Sequence, residues 1–196
     1  GIIAEDFPYV EIAKDYEKGG ASAVSVLTEP YWFLFSIEYL KEIRKNISIP
    51  ILRKDFTVDD YMIYEAKVIG ADAVLLICTI TENDVLKHRI GLAKSLGLSS
   101  LVEAHSEEEI QAAIDAGAEI IGVNNRNLKD FSVDVSLSAK FRKEVPENIL
   151  FVAESGIKTV QQVRDLESDG VNAVLVGETL MRASDRVKAV RDFCGR

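Results

Sequence analysis

Apolar runs recur along the chain at a regular interval, and many open on one short phrase: a glycine, a small residue, any residue, then a small or apolar residue. Copies of this phrase begin at Gly20, Gly70, Gly117 and Gly170. Each is followed by a short β-rich stretch, which is typical of a helix end, a tight turn and a buried strand. A further apolar stretch lies between consecutive copies. The predicted strands are 24–27, 49–52, 74–77, 100–102, 121–123, 149–152 and 174–176.

One strand plus one helix therefore repeats in roughly 25 residues, which is the sequence signature of a parallel α/β fold. A predicted helix at 9–18 precedes the first strand and has no strand of its own. We predict a (β/α)8 TIM barrel as a single domain over residues 1–196, with seven of its eight strands in this chain. In such a barrel alternate strands fill the interior in layers, which explains why the units repeat in pairs. An open doubly wound sheet is the alternative.

Helix starts are marked by the spacing of a capping box, in which a serine or threonine is followed three residues later by an acidic residue or glutamine. This spacing predicts where three of the helices begin. The pairs are Ser106 with Glu109, Thr159 with Gln162 and, more weakly, Thr81 with Asp84.

Composition fits one compact cytoplasmic domain. With 196 residues, 47% of them hydrophobic, the chain can build a core without the help of disulfides or a structural metal. No apolar run approaches the roughly 20 residues of a membrane span. The net charge of −9 argues against a nucleic-acid partner. Cys78 and Cys194 lack the spacing of a disulfide or metal motif and are expected to be reduced thiols. His88 is expected to be a solvated helix residue and His105 to have a loop or packing role, so no metal site is predicted.

Charged residues follow the predicted strands directly. Lys54, Glu103 and Glu154 each stand just after an apolar run. Because the active site of a barrel is built at the carboxyl ends of its strands, these side chains should meet at one mouth. Desolvation and opposite charge could tune their pKa values there for proton transfer. A ring of structural ion pairs is the alternative interpretation.

Small residues end the last two predicted strands, at Ser155-Gly156 and Gly177-Glu178. They would let backbone N–H groups approach an anion at the usual phosphate position of phosphate-binding barrels. Glycines at strand ends are also plain turn formers. Together with Lys54 and Glu103, however, they indicate a sugar-phosphate substrate that is handled by acid/base chemistry.

Five segments resemble motifs of one enzyme family, in that family's order and spacing. They are Ile51-Leu52-Arg53-Lys54-Asp55-Phe56, Leu101-Val102-Glu103-Ala104-His105, Ile121-Gly122-Val123-Asn124-Asn125-Arg126-Asn127-Leu128, Val152-Ala153-Glu154-Ser155-Gly156-Ile157 and Val174-Leu175-Val176-Gly177-Glu178-Thr179-Leu180-Met181-Arg182. The family is indole-3-glycerol phosphate synthase, and the resemblance runs from Gly1 to the C-terminus. It implies a barrel of the ribulose-phosphate-binding type and a carboxy-lyase of tryptophan biosynthesis. The implied reaction closes the indole ring of 1-(2-carboxyphenylamino)-1-deoxyribulose 5-phosphate, with loss of carbon dioxide and water, to give indole-3-glycerol phosphate.

The resemblance also implies a role for each matching residue. Attack of the aromatic ring on the ribulose C2 carbonyl needs a proton donor at its oxygen, and Lys54 fits that role. Glu103 would give or take a proton and stabilise the cationic intermediate. Asn124 would hold substrate hydroxyls, Arg126 would lie beside them or order the carboxylates, and Glu154 would contact substrate; no cofactor is needed. The implied phosphate frame is Ser155, Gly156, Gly177 and Glu178, with Glu178 contributing its backbone N–H.

Two departures from the family pattern concern the first strand and one loop. In the family the first strand carries a glutamate and a lysine before a Ser-Pro-Ser loop, and this chain begins directly after that point. Because a seven-stranded barrel has two unpaired edges, we expect upstream residues or a complementing N-terminal segment to supply it. In the loop 29–36, Phe33 keeps the match and should line the aromatic-ring pocket with Phe56. Leu34 and Phe35 add apolar bulk, which indicates either a repacked lid or a pocket remodelled for another ligand.

Three hypotheses therefore stay open at the level of sequence. The first is a working indole-3-glycerol phosphate synthase. The second is an engineered or truncated derivative of this barrel with lost or changed activity, and the third is a non-enzymatic fragment. A related isomerase of the same pathway shares the barrel and the phosphate site, but the motifs around Lys54 and Glu103 argue against it.

Overall fold

The computed structural model describes residues 7–30, 36–126 and 132–195. Parallel strands form one sheet in which each strand pairs with its neighbours in chain order. The strands are β1 (Val24–Leu27), β2 (Ile51–Lys54), β3 (Ala73–Ile77), β4 (Ser99–Ala104), β5 (Ile120–Asn124), β6 (Leu150–Glu154) and β7 (Ala173–Leu175). The helices are α1 (Tyr9–Gly19), α2 (Ile37–Arg44), α3 (Asp60–Ile69), α4 (Asn83–Ser95), α5 (Glu107–Asp115), α6 (Ser136–Arg142), α7 (Val160–Ser168), α8 (Glu178–Met181) and α9 (Arg186–Phe193), with a 3-10 turn at Cys78–Ile80.

The strand order decides between the two predicted architectures. A doubly wound sheet reverses its order at a switch point. Here β1 to β7 follow one another without a reversal, and the sheet curls as in a (β/α)8 TIM barrel. The barrel prediction is confirmed, with seven strands in the described residues, and the open-sheet alternative is wrong.

Several strands are displaced or extended relative to their predicted bounds, and in β2, β4 and β6 the change brings a charged residue into the strand. β2 begins at Ile51 and ends at Lys54, which pairs with Leu27 of β1. β4 runs through Glu103, which pairs with Ile77 on one side and Gly122 on the other. Lys54 and Glu103 therefore lie within the ladder, where strand pairing fixes their backbones.

The interior of the curled sheet changes from apolar to charged along β2 and β4. Leu52, Leu75, Ile77 and Leu101 form a buried cluster that is separate from the larger core between sheet and helices. Because side chains alternate between the two faces of a strand, the residue two positions after Leu101 points to the same interior. That residue is Glu103, and the same step leads from Leu52 to Lys54. The apolar cluster thus forms the floor on which the charged residues stand.

The predicted helix starts fare differently. Thr159 and Gln162 form a complete capping box. The Ser106 hydroxyl accepts the backbone N–H of Glu109, but the Glu109 carboxylate accepts the backbone N–H of His105, one residue before the expected position. The prediction at Thr81 is wrong, because its N–H donates to the carbonyl of Cys78 and so closes the 3-10 turn.

Helices α1 and α9 pack closely because α1 ends in a glycine. A methyl group at Gly19 would lie 2.6 Å from Cβ of Val190 and 3.0 Å from the carbonyl oxygen of Val187. The guanidinium of Arg186 also lies 3.8 Å from Asp15 across the same contact. The helix that precedes β1 is thereby joined to the last helix of the described chain.

We expect Gly19→Ala to destabilise the fold by about 1–3 kcal/mol, because the added methyl group has no space against α9. Gly91→Ala is the matched control, since Gly91 lies on the exposed side of α4 with no atom within 4 Å of an added Cβ. It should stabilise by about 0.5–1 kcal/mol through helix propensity. Urea unfolding of both variants measures the difference, and equal effects would contradict the close packing of α1 on α9.

Candidate active site

Three strand-end residues meet at the mouth of the barrel, as predicted. Nζ of Lys54 lies 3.5 Å from Oε2 of Glu103 and 3.5 Å from Oε2 of Glu154. They come from β2, β4 and β6, and inward side chains of alternate strands form one layer of a barrel interior. The glutamate side chains are 4% and 2% exposed, whereas that of Lys54 is 26% exposed. The ammonium is therefore the member of the cluster that an incoming molecule can reach.

The two glutamates differ in pKa. Burial raises the pKa of Glu154 to about 7, and Glu103 adds to this while Lys54 opposes it. Burial acts in the same direction on Glu103, but its contact with His105 and the charge of Lys54 outweigh it and hold the pKa of Glu103 below its ordinary value. Near neutral pH the site therefore combines an ionised carboxylate with one that can carry a proton, an arrangement suited to acid/base chemistry.

Lys54 stays an ammonium in this setting. Burial alone would lower its pKa, but the charges of Glu154 and Glu103 overcome that effect and raise it. The cluster thus keeps a proton on the lysine that can be given to a substrate atom.

Gly122 on β5 leaves the space that the Glu154 carboxylate fills. A methyl group at Gly122 would collide with Oε1 of Glu154 and would lie 3.1 Å from Leu101. Sequence reasoning missed this requirement, because a glycine inside a predicted strand shows no sign of the side chain that faces it.

Asn124 connects the carboxylate cluster to the loop after β5. Its Nδ2 donates to Oε1 of Glu103 at 3.4 Å, and its Oδ1 accepts the backbone N–H of Arg126 at 3.0 Å. Arg126 pairs with Val133 across an isolated antiparallel bridge. The structure thus brings Asn124 into the predicted site and places Arg126 at its edge.

The predicted phosphate frame is built from two adjacent strand ends. Ser155 and Gly156 have φ of 67° and 76°, a left-handed turn that directs successive N–H groups to one side. A methyl group at Gly156 would collide with Val133. The hydroxyl of Thr179 in α8 donates to the carbonyl of Ile157 at 2.9 Å and so ties the segment after β7 to this turn. The frame residues in the segment after β7 are Gly177 and Glu178.

Asn125 holds that turn and was not singled out by the sequence. The residue is 1% exposed, its Nδ2 donates to the carbonyl of Ser155 at 3.1 Å, and its Oδ1 accepts the N–H and hydroxyl of Ser138. Two asparagines in succession look alike in sequence. Only the fold shows that Asn124 faces the carboxylates and that Asn125 faces the turn at Ser155 and Gly156.

Other predicted positions lie outside this cluster. Phe33 falls outside the described residues. Phe56 is 39% exposed and borders a cavity of about 520 Å³ that is also lined by Thr28, Arg53 and Glu65. Lys54, Glu103 and Glu154 are not among the residues that line this cavity. Among the described residues, no three histidine, cysteine, aspartate or glutamate side chains are grouped so that they could hold a metal ion.

Some strand-end charges are structural ion pairs. Arg53, on the helix-facing side of β2, contacts Asp55 at 3.2 Å and Glu65 at 2.8 Å. Asp55 also accepts the hydroxyl of Thr28 and the backbone N–H of Phe56. These ion pairs lie on the face of β2 opposite to Lys54 and are separate from the cluster of Lys54, Glu103 and Glu154.

The protein-family model described as indole-3-glycerol phosphate synthase matches residues 1–193. The chain belongs to this family. An indole-3-glycerol phosphate synthase of Ruminiclostridium cellulolyticum is 59% identical over 94% of this chain and 71% of its own length. One of Endomicrobium trichonymphae is 57% identical over 98% of this chain and 75% of its own length.

Solved structures with lower identity agree on the fold. KGPDC from Streptococcus mutans has a TM-score of 0.76 at 15% identity, with 95% of this chain and 89% of that chain covered. The thiamine phosphate pyrophosphorylase from Pyrococcus furiosus has a TM-score of 0.74 at 22% identity, with 96% and 88% covered. At these identities the likeness supports the barrel alone.

Membership of the indole-3-glycerol phosphate synthase family makes this chain a carboxy-lyase of tryptophan biosynthesis. It does not favour the hypothesis of an altered derivative or of a non-enzymatic fragment. Separately, none of the helices in the described ranges is long and apolar enough to cross a membrane.

Glu154→Gln should remove a pH-dependent contribution to stability. The folded protein holds the Glu154 proton with a pKa of about 7, against 4.5 for an ordinary glutamate. The stabilisation is therefore complete below the lower value and is lost as pH rises through the upper one. Relative to the variant, the wild type should lose about 3 kcal/mol over this window in urea unfolding. Glu38→Gln, which alters an exposed ion pair with Lys41, is the control, and parallel curves for wild type and Glu154→Gln would contradict a protonated Glu154.

Proposed function

We propose that this chain closes the indole ring with Lys54 as proton donor and Glu103 as the carboxylate that exchanges protons later in the reaction. The observation that carries the proposal is the position of one ammonium between two buried carboxylates whose pKa values are driven apart. Groups with such separated pKa values take different parts in acid/base catalysis.

In the first step, a carbon of the aromatic ring attacks C2 of the ribulose chain, and the carbonyl electron pair moves onto oxygen. Lys54 gives that oxygen a proton, so that a hydroxyl rather than an alkoxide is formed. Its two carboxylate neighbours keep the amine protonated before the attack. Loss of carbon dioxide then returns an electron pair to the ring.

In the later step the C2 hydroxyl takes a proton and leaves as water, and the electron pair of the nitrogen stabilises the cation that remains. Glu154, which holds its own proton near neutral pH and contacts the substrate, supplies the proton for this water. The ionised Glu103 stabilises the cationic intermediate and takes the proton from C1, so that the five-membered ring becomes aromatic.

The remaining predicted residues bind and orient a sugar phosphate. Asn124 holds substrate hydroxyls and Arg126 lies beside them. Phe33 and Phe56 line the pocket for the aromatic ring, which needs an apolar surface. No cofactor takes part. The phosphate accepts backbone N–H groups from Ser155, Gly156, Gly177 and Glu178.

The carboxylate of Glu178 supports that use of its backbone. It accepts a hydrogen bond from Nε of Arg182 at 3.0 Å, so its negative charge is paired with a guanidinium one turn further along the chain. A carboxylate turned toward the phosphate would repel it.

We also propose that residues 1–196 act as one barrel domain in the cytoplasm. Cys78 and Cys194 are free thiols, as in proteins of a reducing compartment. The acidic net charge of −9 supports a small-molecule partner rather than nucleic acid.

Lys54→Ala should lower kcat by about 10²–10⁴-fold and change KM by less than about threefold, because the donated proton acts mainly in the transition state. The rate is measured as the fluorescence of indole-3-glycerol phosphate formed from the carboxyphenylamino-deoxyribulose phosphate. Lys94→Ala is the matched control, since it removes an exposed lysine that pairs only with the surface residue Glu119 among the described side chains.

Gly156→Ala tests the phosphate turn, because the added methyl group would collide with Val133 and a φ of 76° favours glycine. Displacement of the N–H groups should raise KM by about tenfold with a smaller change in kcat. If Lys54→Ala and Gly156→Ala alter KM alike and leave kcat unchanged, Lys54 is a binding residue and the proposed proton transfer is wrong.

A further inference from the structure

His105 lies directly after β4, and its ring connects the active site to helix α5. Nε2 lies 3.2 Å from Oε1 of Glu103, while Nδ1 lies 3.2 Å from the hydroxyl of Thr79 and 3.3 Å from Oε2 of Glu109. The side chain is 18% exposed. The expectation of a loop or packing role does not account for a ring that touches the catalytic carboxylate on one side and an anchored carboxylate on the other.

We propose that His105 is a positioning residue that, as an imidazolium, keeps Glu103 ionised and turned toward Lys54. This inference rests on the proposed function, in which Glu103 takes the proton. His105 itself touches no reacting atom and acts through Glu103.

The contacts of Glu109 show which ring nitrogens carry a proton. Oε2 of Glu109 accepts the backbone N–H of His105 at 2.8 Å, and Oε1 accepts the hydroxyl of Thr79 at 2.8 Å. The Thr79 proton is thereby committed to Glu109, so both Thr79 and Glu109 offer only acceptor oxygens to Nδ1. Nδ1 is therefore the donor on that side.

The opposite side of the ring also meets an acceptor. Nε2 faces the Glu103 carboxylate at ion-pair distance, although the angle between them makes no hydrogen bond. A neutral ring with its proton on Nδ1 would turn the lone pair of Nε2 toward this carboxylate, whereas the imidazolium places a positive charge there. The surroundings thus match the charged ring.

The charges around the ring support the same state. Glu103 faces it from β4 and Glu109 from α5, and the contact with Glu103 raises the pKa of His105 more than burial lowers it. Cys78, in the 3-10 turn beside it, stays a neutral thiol because burial raises its pKa to about 12. Lys54 is the further cation, on the far side of Glu103.

The imidazolium accounts for the difference between the two buried glutamates. Glu103 lies between two cations, Lys54 and His105, whereas Lys54 is the one cation paired with Glu154 among the described side chains. An opposite charge at this distance favours the ionised form of a carboxyl group. Without His105, Lys54 and the weaker contact with Asn124 would be left to oppose the effect of burial on Glu103.

The first test is an NMR titration of the ring nitrogens in the intact protein, in which His88 and His105 are the only histidines. His88→Gln assigns the signals. We expect His105 to titrate above the ordinary value of 6.5 and Glu103→Gln to lower its midpoint. Asp60→Asn, which removes the surface partner of His88, should leave His105 unchanged. A His105 midpoint that does not respond to Glu103→Gln would overturn the proposal.

The second test is the pH profile of kcat in His105→Gln. The glutamine amide can take the place of Nε2 as a neutral donor, so the contact is kept and the charge is lost. We expect the acidic limb to move to higher pH, with kcat about tenfold below wild type at about pH 6 and much closer to it at about pH 8. His88→Gln should follow the wild-type profile. An unshifted limb with a uniform loss of rate would mean a structural role and would sink the inference.

A third variant keeps the test decisive if His105→Gln does not fold. Glu109→Gln retains an oxygen for the backbone N–H of His105 but removes the charge beside Nδ1, so it should shift the limb in the same direction by a smaller amount. An unshifted limb in a folded Glu109→Gln would count against the proposal. Glu103→Gln separates the two levels: if it is fully active, the proposed function fails, and if it is inactive while the limb stays unshifted, only the role of His105 fails.

Discussion

Two carboxyl groups and one ammonium lie together in the buried mouth of a parallel barrel. The surrounding residues must keep these charges close enough to compensate one another. An unpaired charge at this depth would be strongly destabilising, and removal of one partner from a buried group leaves another uncompensated. Lys54 stays charged because both glutamates face it. Glu103 and Glu154 remain close to each other because one of them can hold a proton.

The fold explains how such a cluster arises. Side chains that point inward from β2, β4 and β6 reach one level of the interior, above the apolar floor of Leu52 and Leu101. Strand pairing fixes the backbone on both sides of Glu103 and Glu154 and on the β1 side of Lys54. Side chains that belong to paired strands are held more rigidly than side chains on loops. Proton transfer needs this rigidity because it takes place over a short distance.

Much of this could be predicted from the sequence, because strand ends are visible as apolar runs that stop at a charge. The barrel, Lys54 and Glu103 follow from that pattern, and the family from the motifs around them. The difference between the pKa values of Glu103 and Glu154 could not be predicted, because it depends on the position of the His105 ring. That ring is held by Glu109, which contacts both its Nδ1 and the backbone N–H of His105. The predicted helix start at Thr81 was wrong because the 3-10 turn that this residue closes has no recognisable pattern in the sequence. The roles of the individual site residues stay predictions.

The fit of Glu154 against Gly122 has a consequence for how this sequence can change over generations. A Cβ at position 122 would force the Glu154 carboxylate to move from its present position beside Lys54. The two positions are therefore coupled so that their effects are not additive. The glycine on one strand is thus kept by the acid on the next, and a change at either position alters what the other can accept.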